Sequence, residues 1–287
     1  MVRLKQLSLK SINGDSTIAS EATHAHTQRT FTVNTLIEQD NNLKGEPEII
    51  DSIEMQTGID PVCSIIWLHG LGADGHDFEF IVPELELPPE TPVRFIFPHA
   101  PIRPITVNNG MNMRGWYDIV DLPINADCPK QSDQEGVWRG DREGMQQSAQ
   151  IVYRLIEQEN QRGIVTEKIF LAGFSQGGAI ALFAGLRLQA QLAGIIALSA
   201  YLPDETTIEA EKSIHNQSTQ IFMGHGSQDP LIPLPIAARS HRLLRELGYD
   251  VEWHTYEMPH SIHPNEIEDI ANYLNKHLVH SAPTNKR

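Results

Sequence analysis

The chain has 287 residues, 40% of them hydrophobic, enough for one large α/β domain or for one domain with an extension. A formal net charge of −15 without any Lys/Arg cluster argues against nucleic acid and against stable attachment to an anionic membrane. Two cysteines outside CxxC spacing exclude a disulfide framework, and no stretch reaches the ~18 uncharged apolar residues of a membrane span.

No apolar segment of signal-peptide length follows Met1–Lys10, so the expected location is the cytoplasm. Residues 1–47 are rich in Ser, Thr, Asn and Gln and lack periodicity; they read as a flexible or loosely packed extension, with Phe31–Val33 as a candidate short strand. Residues 48–287 read as one catalytic domain.

From about residue 50, β-branched and aromatic runs alternate with helix-length segments. The expected strands are Ser64–Leu68, Val93–Phe97, Lys168–Ala172, Gly194–Leu198, Gln220–Gly224 and Val251–Tyr256. The expected helices are Val137–Gln161, Gln176–Gln189, Pro235–Leu247 and Pro264–Leu278. In the first of them Met145, Ala149, Val152, Leu155 and Ile156 share one face, and Pro235 and Pro264 stand near helix starts, where a missing N–H is harmless. This alternation predicts a mostly parallel sheet with helices on both faces and functional groups at the carboxyl ends of its strands. Cys63, inside the apolar run Val62–Leu68, reads as a buried core thiol.

Gly173-Phe-Ser-Gln-Gly177 lies directly between an expected strand and an expected helix. A G-x-S-x-G pentapeptide in that context forms a sharp turn that exposes its serine at the positive end of the helix, here Ser175. A serine hydroxyl needs a general base, and in such sites an acid and then a histidine follow the nucleophile along the chain. Asp229, in a loop just past an expected strand, is the preferred acid; Asp204 is its competitor and reads better as a turn or cap residue. His260 lies on the loop before the last helix and is the preferred base, with His263 as the alternative; His254 falls within a strand. The backbone N–H groups of Leu71, in the loop after the first expected strand, and of Gln176 are the expected oxyanion donors.

Gly70-x-Gly72-x-x-Gly75 matches a dinucleotide fingerprint literally. Prolines at 83, 88 and 89 interrupt the following segment, and the next strand ends at Pro98-His99 without an acid, so no such cofactor is expected. No HExxH or Cys/His cluster calls for a metal.

Six motifs then occur in order: His69-Gly-Leu-Gly-Ala-Asp-Gly75, Pro98-His-Ala-Pro101, Asn112-Met-Arg-Gly-Trp-Tyr-Asp118, Gly173-Phe-Ser-Gln-Gly-Gly178, Leu198-Ser-Ala-Tyr-Leu-Pro203 and His225-Gly-Ser-Gln-Asp-Pro230. Together they resemble the carboxylesterase/acyl-protein thioesterase family of α/β-hydrolases, from about residue 60 to 279. The resemblance implies an α/β-hydrolase fold, the triad Ser175, Asp229 and His260, and oxyanion donors at Leu71 and Gln176. It favours His260 over His263.

The interval between the strands at 194–198 and 220–224 leaves little room for a cap domain, so a shallow groove is expected. Met111, Met113, Trp116 and Tyr117 form an apolar segment that could line an acyl channel, with Met113 and Trp116 as the substrate contacts. The expected activity is cleavage of short- to medium-chain acyl esters or thioesters, protein- or lipid-linked, without a cofactor. A lysophospholipase and an idle binding module with the same fold are the competing readings, and a homodimer stays open.

Overall fold

The computed structural model describes residues 51–120 and 140–278. The extension, Phe31–Val33, Cys128 and the expected helix start at 137–139 lie outside these described residues.

Nine strands and six α-helices alternate along the described chain. The strands are β1 (Ser52–Gln56), β2 (Cys63–Leu68), β3 (Val93–Pro98), β4 (Ile102–Ile105), β5 (Met111–Arg114), β6 (Ile169–Phe174), β7 (Gly194–Leu198), β8 (Ile221–Gly226) and β9 (Val251–Tyr256). The helices are α1 (Ile81–Glu84), α2 (Arg142–Gln161), α3 (Gln176–Arg187), α4 (Ile208–Glu211), α5 (Leu234–Glu246) and α6 (Pro264–Leu278).

Seven strands form the central sheet in the order β1-β3-β2-β6-β7-β8-β9. Only the β1–β3 pair is antiparallel; the remaining pairs are parallel. Parallel strands covered on both faces read as continuous apolar runs, which is why β2, β6 and β7 were legible. Their side chains alternate between two cores. Ile66, Leu68, Leu171, Ile195 and Met223 point to the face covered by α2 and α3. Ile65, Trp67, Phe170, Ile196 and Phe222 point to the face covered by α1 and α6. Each fully buried Ile or Leu contributes about 2 kcal/mol.

The helices begin where local chemistry supplies a cap or a proline. Asp141 caps α2, its carboxylate accepting the Gly144 amide at 2.8 Å. Proline occupies the first turn of α5, and Pro264 opens α6.

Five elements were not anticipated: the short helices α1 and α4 and the strands β1, β4 and β5. β1 is an edge strand whose Ile53 and Met55 pack on the core while Glu54 points outward. β4 and β5 form a separate two-stranded hairpin, turning at Asn109 (φ 56°) and Gly110 (φ 72°). Between β7 and β8, residues 199–220 hold only α4 and the short turn Ile214–Asn216, so no cap domain stands there. Among the described residues no helix is long and apolar enough to cross a membrane.

Candidate active site

The strand ends align across the sheet. Leu68 stands opposite Gly173, Phe174 opposite Leu198, Leu198 opposite Gly224 and Gly224 opposite His254. The loops that follow therefore emerge along one rim. From β2 the chain runs outward to β3 and later returns to β6 on the other side of β2. The crevice between β2 and β6 is thus a topological switch point, where ligands bind in open α/β sheets.

Ser175 is the residue between β6 and α3. Its backbone is held at φ 54°, ψ −119°, a conformation that costs a non-glycine residue about 1–3 kcal/mol. The turn is pinned at both ends: the Ser175 amide donates to Leu198 O at 2.8 Å, and its carbonyl accepts the Ala179 amide at 3.0 Å. Glycine is required at position 177, where a Cβ would lie 2.2 Å from the Leu68 carbonyl oxygen. That close approach puts the start of α3 directly on the end of β2.

Asp229 follows β8, and its carboxylate is completely specified. Oδ1 accepts the amides of Leu231 at 2.8 Å and Ile232 at 2.9 Å. Oδ2 lies 2.7 Å from Nδ1 of His260. Burial raises the Asp229 pKa, but the His260 hydrogen bond and the two amides outweigh it and hold the group below its ordinary value. His260 lies between β9 and α6, its ring 4.8 Å from that of Phe174, the residue before Ser175. Serine, imidazole and a fixed carboxylate are the components of acyl transfer through a serine nucleophile.

The competitors are engaged elsewhere. His263 stacks on Tyr256, and its Nδ1 accepts the Asn265 amide at 3.1 Å. His254 pairs with Glu252 and Asp269. Asp204 is buried, accepts from Thr206 and Thr207, and pairs with Arg142.

Gln176 directly follows the serine, and Leu71 lies on the loop after β2. Gly70 packs beside the serine, for a Cβ there would lie 3.6 Å from Ser175 Cβ. The loop that carries Leu71 is braced by His69. Since Nε2 of His69 accepts the Ala100 amide at 3.0 Å, the ring proton sits on Nδ1, which donates to Gly70 O at 2.7 Å. Burial drives this pKa down to about 4, so the ring stays neutral. The Gly72 amide donates to Arg114 O at 2.8 Å, joining the loop to β5.

Gln176 does more than carry an amide beside the serine. Its buried side chain accepts the Trp116 amide at 2.8 Å and donates to Tyr117 O at 2.7 Å. Trp116 is fully buried, and its indole N–H donates to His69 O at 2.9 Å. It thus supports the Leu71 loop from behind. Met113 is half-buried, with its sulfur 3.7 Å from the position of a Cβ at Gly72. Sequence reasoning assigned no role to the side chains of His69 and Gln176, because their partners are backbone atoms remote in the chain.

Gly75 opens a short 3₁₀ turn, Gly75–Phe78, and a Cβ there would meet Phe97 O at 2.4 Å. Gly75 thus serves close packing, whereas Gly72 supplies a left-handed backbone (φ 79°). Among the described residues no group of three or more His, Cys, Asp or Glu side chains could hold a metal ion.

The phospholipase/carboxylesterase family model matches residues 52–278, which span every element of the site. The chain belongs to the phospholipase/carboxylesterase family. It is accordingly an α/β-hydrolase and a carboxylic ester hydrolase. It is 40% identical to acyl-protein thioesterase 1 of Gibberella zeae over 219 residues, covering 75% of this chain and 90% of that one. It is 36% identical to acyl-protein thioesterase 1 of Emericella nidulans, covering 80% of this chain and 94% of that one. Among solved structures, Arabidopsis thaliana SOBER1 superposes with a TM-score of 0.67 at 29% identity, covering 75% of this chain and 99% of that one.

Proposed function

We propose that this family member hydrolyses short- to medium-chain acyl esters and thioesters through an acyl-enzyme on Ser175. The observation that carries the proposal is the His260–Asp229 contact of 2.7 Å, made by a carboxylate whose other oxygen is fixed by two amides. Such an aspartate holds the proton of the neutral imidazole on Nδ1, leaving Nε2 bare to accept the serine proton.

The chemistry proceeds in two halves. Ser175 attacks the acyl carbonyl while His260 takes its proton and Asp229 stabilises the imidazolium. The Leu71 and Gln176 amides donate to the oxyanion that develops. The thiol or alcohol leaves with the proton from His260, and water activated by the same ring releases the acid and restores Ser175.

The lack of a cap between β7 and β8 favours an acyl donor attached to something bulky, a protein or a lipid. The names of the thioesterase relatives support the protein-linked case. Met113 supplies an apolar contact for the acyl chain beside Gly72, and Trp116 acts from beneath by supporting the oxyanion loop. The cytoplasm is the proposed location and residues 48–287 the catalytic domain. The test is kcat/KM over matched oxyester and thioester series from acetyl to palmitoyl. A maximum at short to medium chains is expected; a sharp preference for the longest chains, or no turnover of any acyl substrate, would overturn the proposal.

A further inference from the structure

Strand β8 ends in Gly224-His225-Gly226, and the His225 side chain is fully buried. The reaction outlined above does not use it, yet it lies at the base of the Asp229 turn.

Nε2 of His225 lies 2.8 Å from the Ile232 carbonyl oxygen. A carbonyl only accepts, so the ring proton is on Nε2 and is donated there. Nδ1 has no hydrogen-bond partner, and a second proton on it would be buried without an acceptor. Burial depresses the pKa in the same sense, so the ring is neutral. The same Nε2 stands 3.5 Å from Asp229 Oδ2, the oxygen that faces His260.

The turn from 229 to 232 is therefore tied from two sides. The Ile232 amide donates to Asp229 Oδ1 while its carbonyl accepts from His225. The anchor itself is rigid, because β8 is hydrogen-bonded between β7 and β9. Remove the His225 donor, and the Ile232 carbonyl is left buried without it. The peptide is then free to turn, the amides shift relative to Oδ1, and Oδ2 loses its fixed direction.

We propose that His225 is a positioning residue for Asp229, a neutral N–H donor that locks the 229–232 turn so that the carboxylate faces His260. It touches neither substrate nor the reacting atoms. The inference rests on the triad reading of Ser175, Asp229 and His260.

The experiment is a double-mutant cycle on the full chain, with kcat and KM measured on a short-chain thioester and folding checked by near-ultraviolet circular dichroism. His225→Leu fills the space without a donor. It is expected to lower kcat by about 10- to 100-fold while KM stays nearly constant, the scale of a small misplacement of a catalytic group. His225→Gln, whose amide nitrogen can reach the Ile232 carbonyl, should recover most of that loss. In an Asp229→Ala background, His225→Leu should add less than about threefold, since the group it positions is gone. If the leucine variant does not fold, His225→Asn, polar but too short to reach Ile232, takes its place. Full additivity in the cycle, or a glutamine variant as slow as the leucine variant, would overturn the inference alone. An Asp229→Ala variant with undiminished kcat would overturn the triad and this inference with it.

Discussion

Asp229→Asn replaces a carboxylate by an amide of the same shape, and the structure dictates which way the amide faces. Two donors, the Leu231 and Ile232 amides, converge on one oxygen at 2.8 and 2.9 Å. The side-chain carbonyl must stay there, because the NH₂ end would meet both N–H groups head-on. The NH₂ group is then directed at His260 Nδ1, across what was a 2.7 Å hydrogen bond. Since an NH₂ group only donates, Nδ1 must become the acceptor, and the ring proton moves to Nε2. That tautomer cannot take the proton of Ser175. The imidazolium that forms during attack also loses its negative partner. Asparagine replacement in triads of this kind lowers kcat by about 10⁴-fold, equivalent to about 5.4 kcal/mol. The assay is steady-state hydrolysis of an activated short-chain ester, with thermal unfolding as the control for folding. Asp229 sits below the ordinary carboxylate pKa, so the wild type keeps its anion across the neutral assay range. A folded Asp229→Asn variant that keeps kcat within tenfold of the wild type would refute the tautomer reasoning.

Glu266 lies fully buried in the first turn of α6, with Oε1 unpartnered and its pKa pushed up to about 8 by burial. A raised folded-state pKa means that its contribution to stability is complete below the unfolded value of 4.5 and is lost as pH rises through about 8. Glu266→Gln should therefore gain on the wild type between pH 5 and 9 by a few kcal/mol, at most on the order of 5. Urea unfolding at both pH values measures this, and parallel pH dependences of the two proteins would contradict it. Gly177→Ala forces a methyl group against the Leu68 carbonyl at 2.2 Å and the His69 carbonyl at 2.6 Å. It should cost about 3 kcal/mol or more and abolish activity. At Gly163, by contrast, a methyl meets nothing within 4 Å and bears only the left-handed φ of 93°, so Gly163→Ala should cost about 1–2 kcal/mol and leave kcat unchanged. Equal melting temperatures for the two alanine variants would be inconsistent with the packing described at the elbow.

The fold was legible where strands are buried on both faces. Gly194–Leu198 coincides with the fully buried β7, the partly exposed edge strand β9 was legible at Val251–Tyr256 from its β-branched and aromatic residues, and Pro264–Leu278 coincides with α6. β1 escaped because an edge strand with Glu54 in its middle carries no apolar run. The β4–β5 hairpin escaped because Pro104 breaks the strand pattern and because its five-residue connection, Thr106 to Gly110, is not the two-residue Asn-Gly loop that marks a hairpin in sequence. α2 begins at Arg142, where Asp141 supplies the cap. At the site, Ser175 and Asp229 could be chosen because each sits on a loop directly after a strand, whereas loop position left His263 open beside His260 and the family resemblance favoured His260. The side-chain roles of His69, Gln176 and His225 could not. Each is fixed by a backbone atom, Ala100 N, Trp116 N and Tyr117 O, or Ile232 O, and only the fold brings these together.

The most direct test of a nucleophilic Ser175 is labelling of the folded protein by a fluorophosphonate probe, comparing the wild type with Ser175→Ala and His260→Ala. Rapid labelling of the wild type, none of Ser175→Ala and strongly slowed labelling of His260→Ala are expected. A folded wild type that takes up no probe, or a Ser175→Ala variant labelled as fast as the wild type, would contradict it.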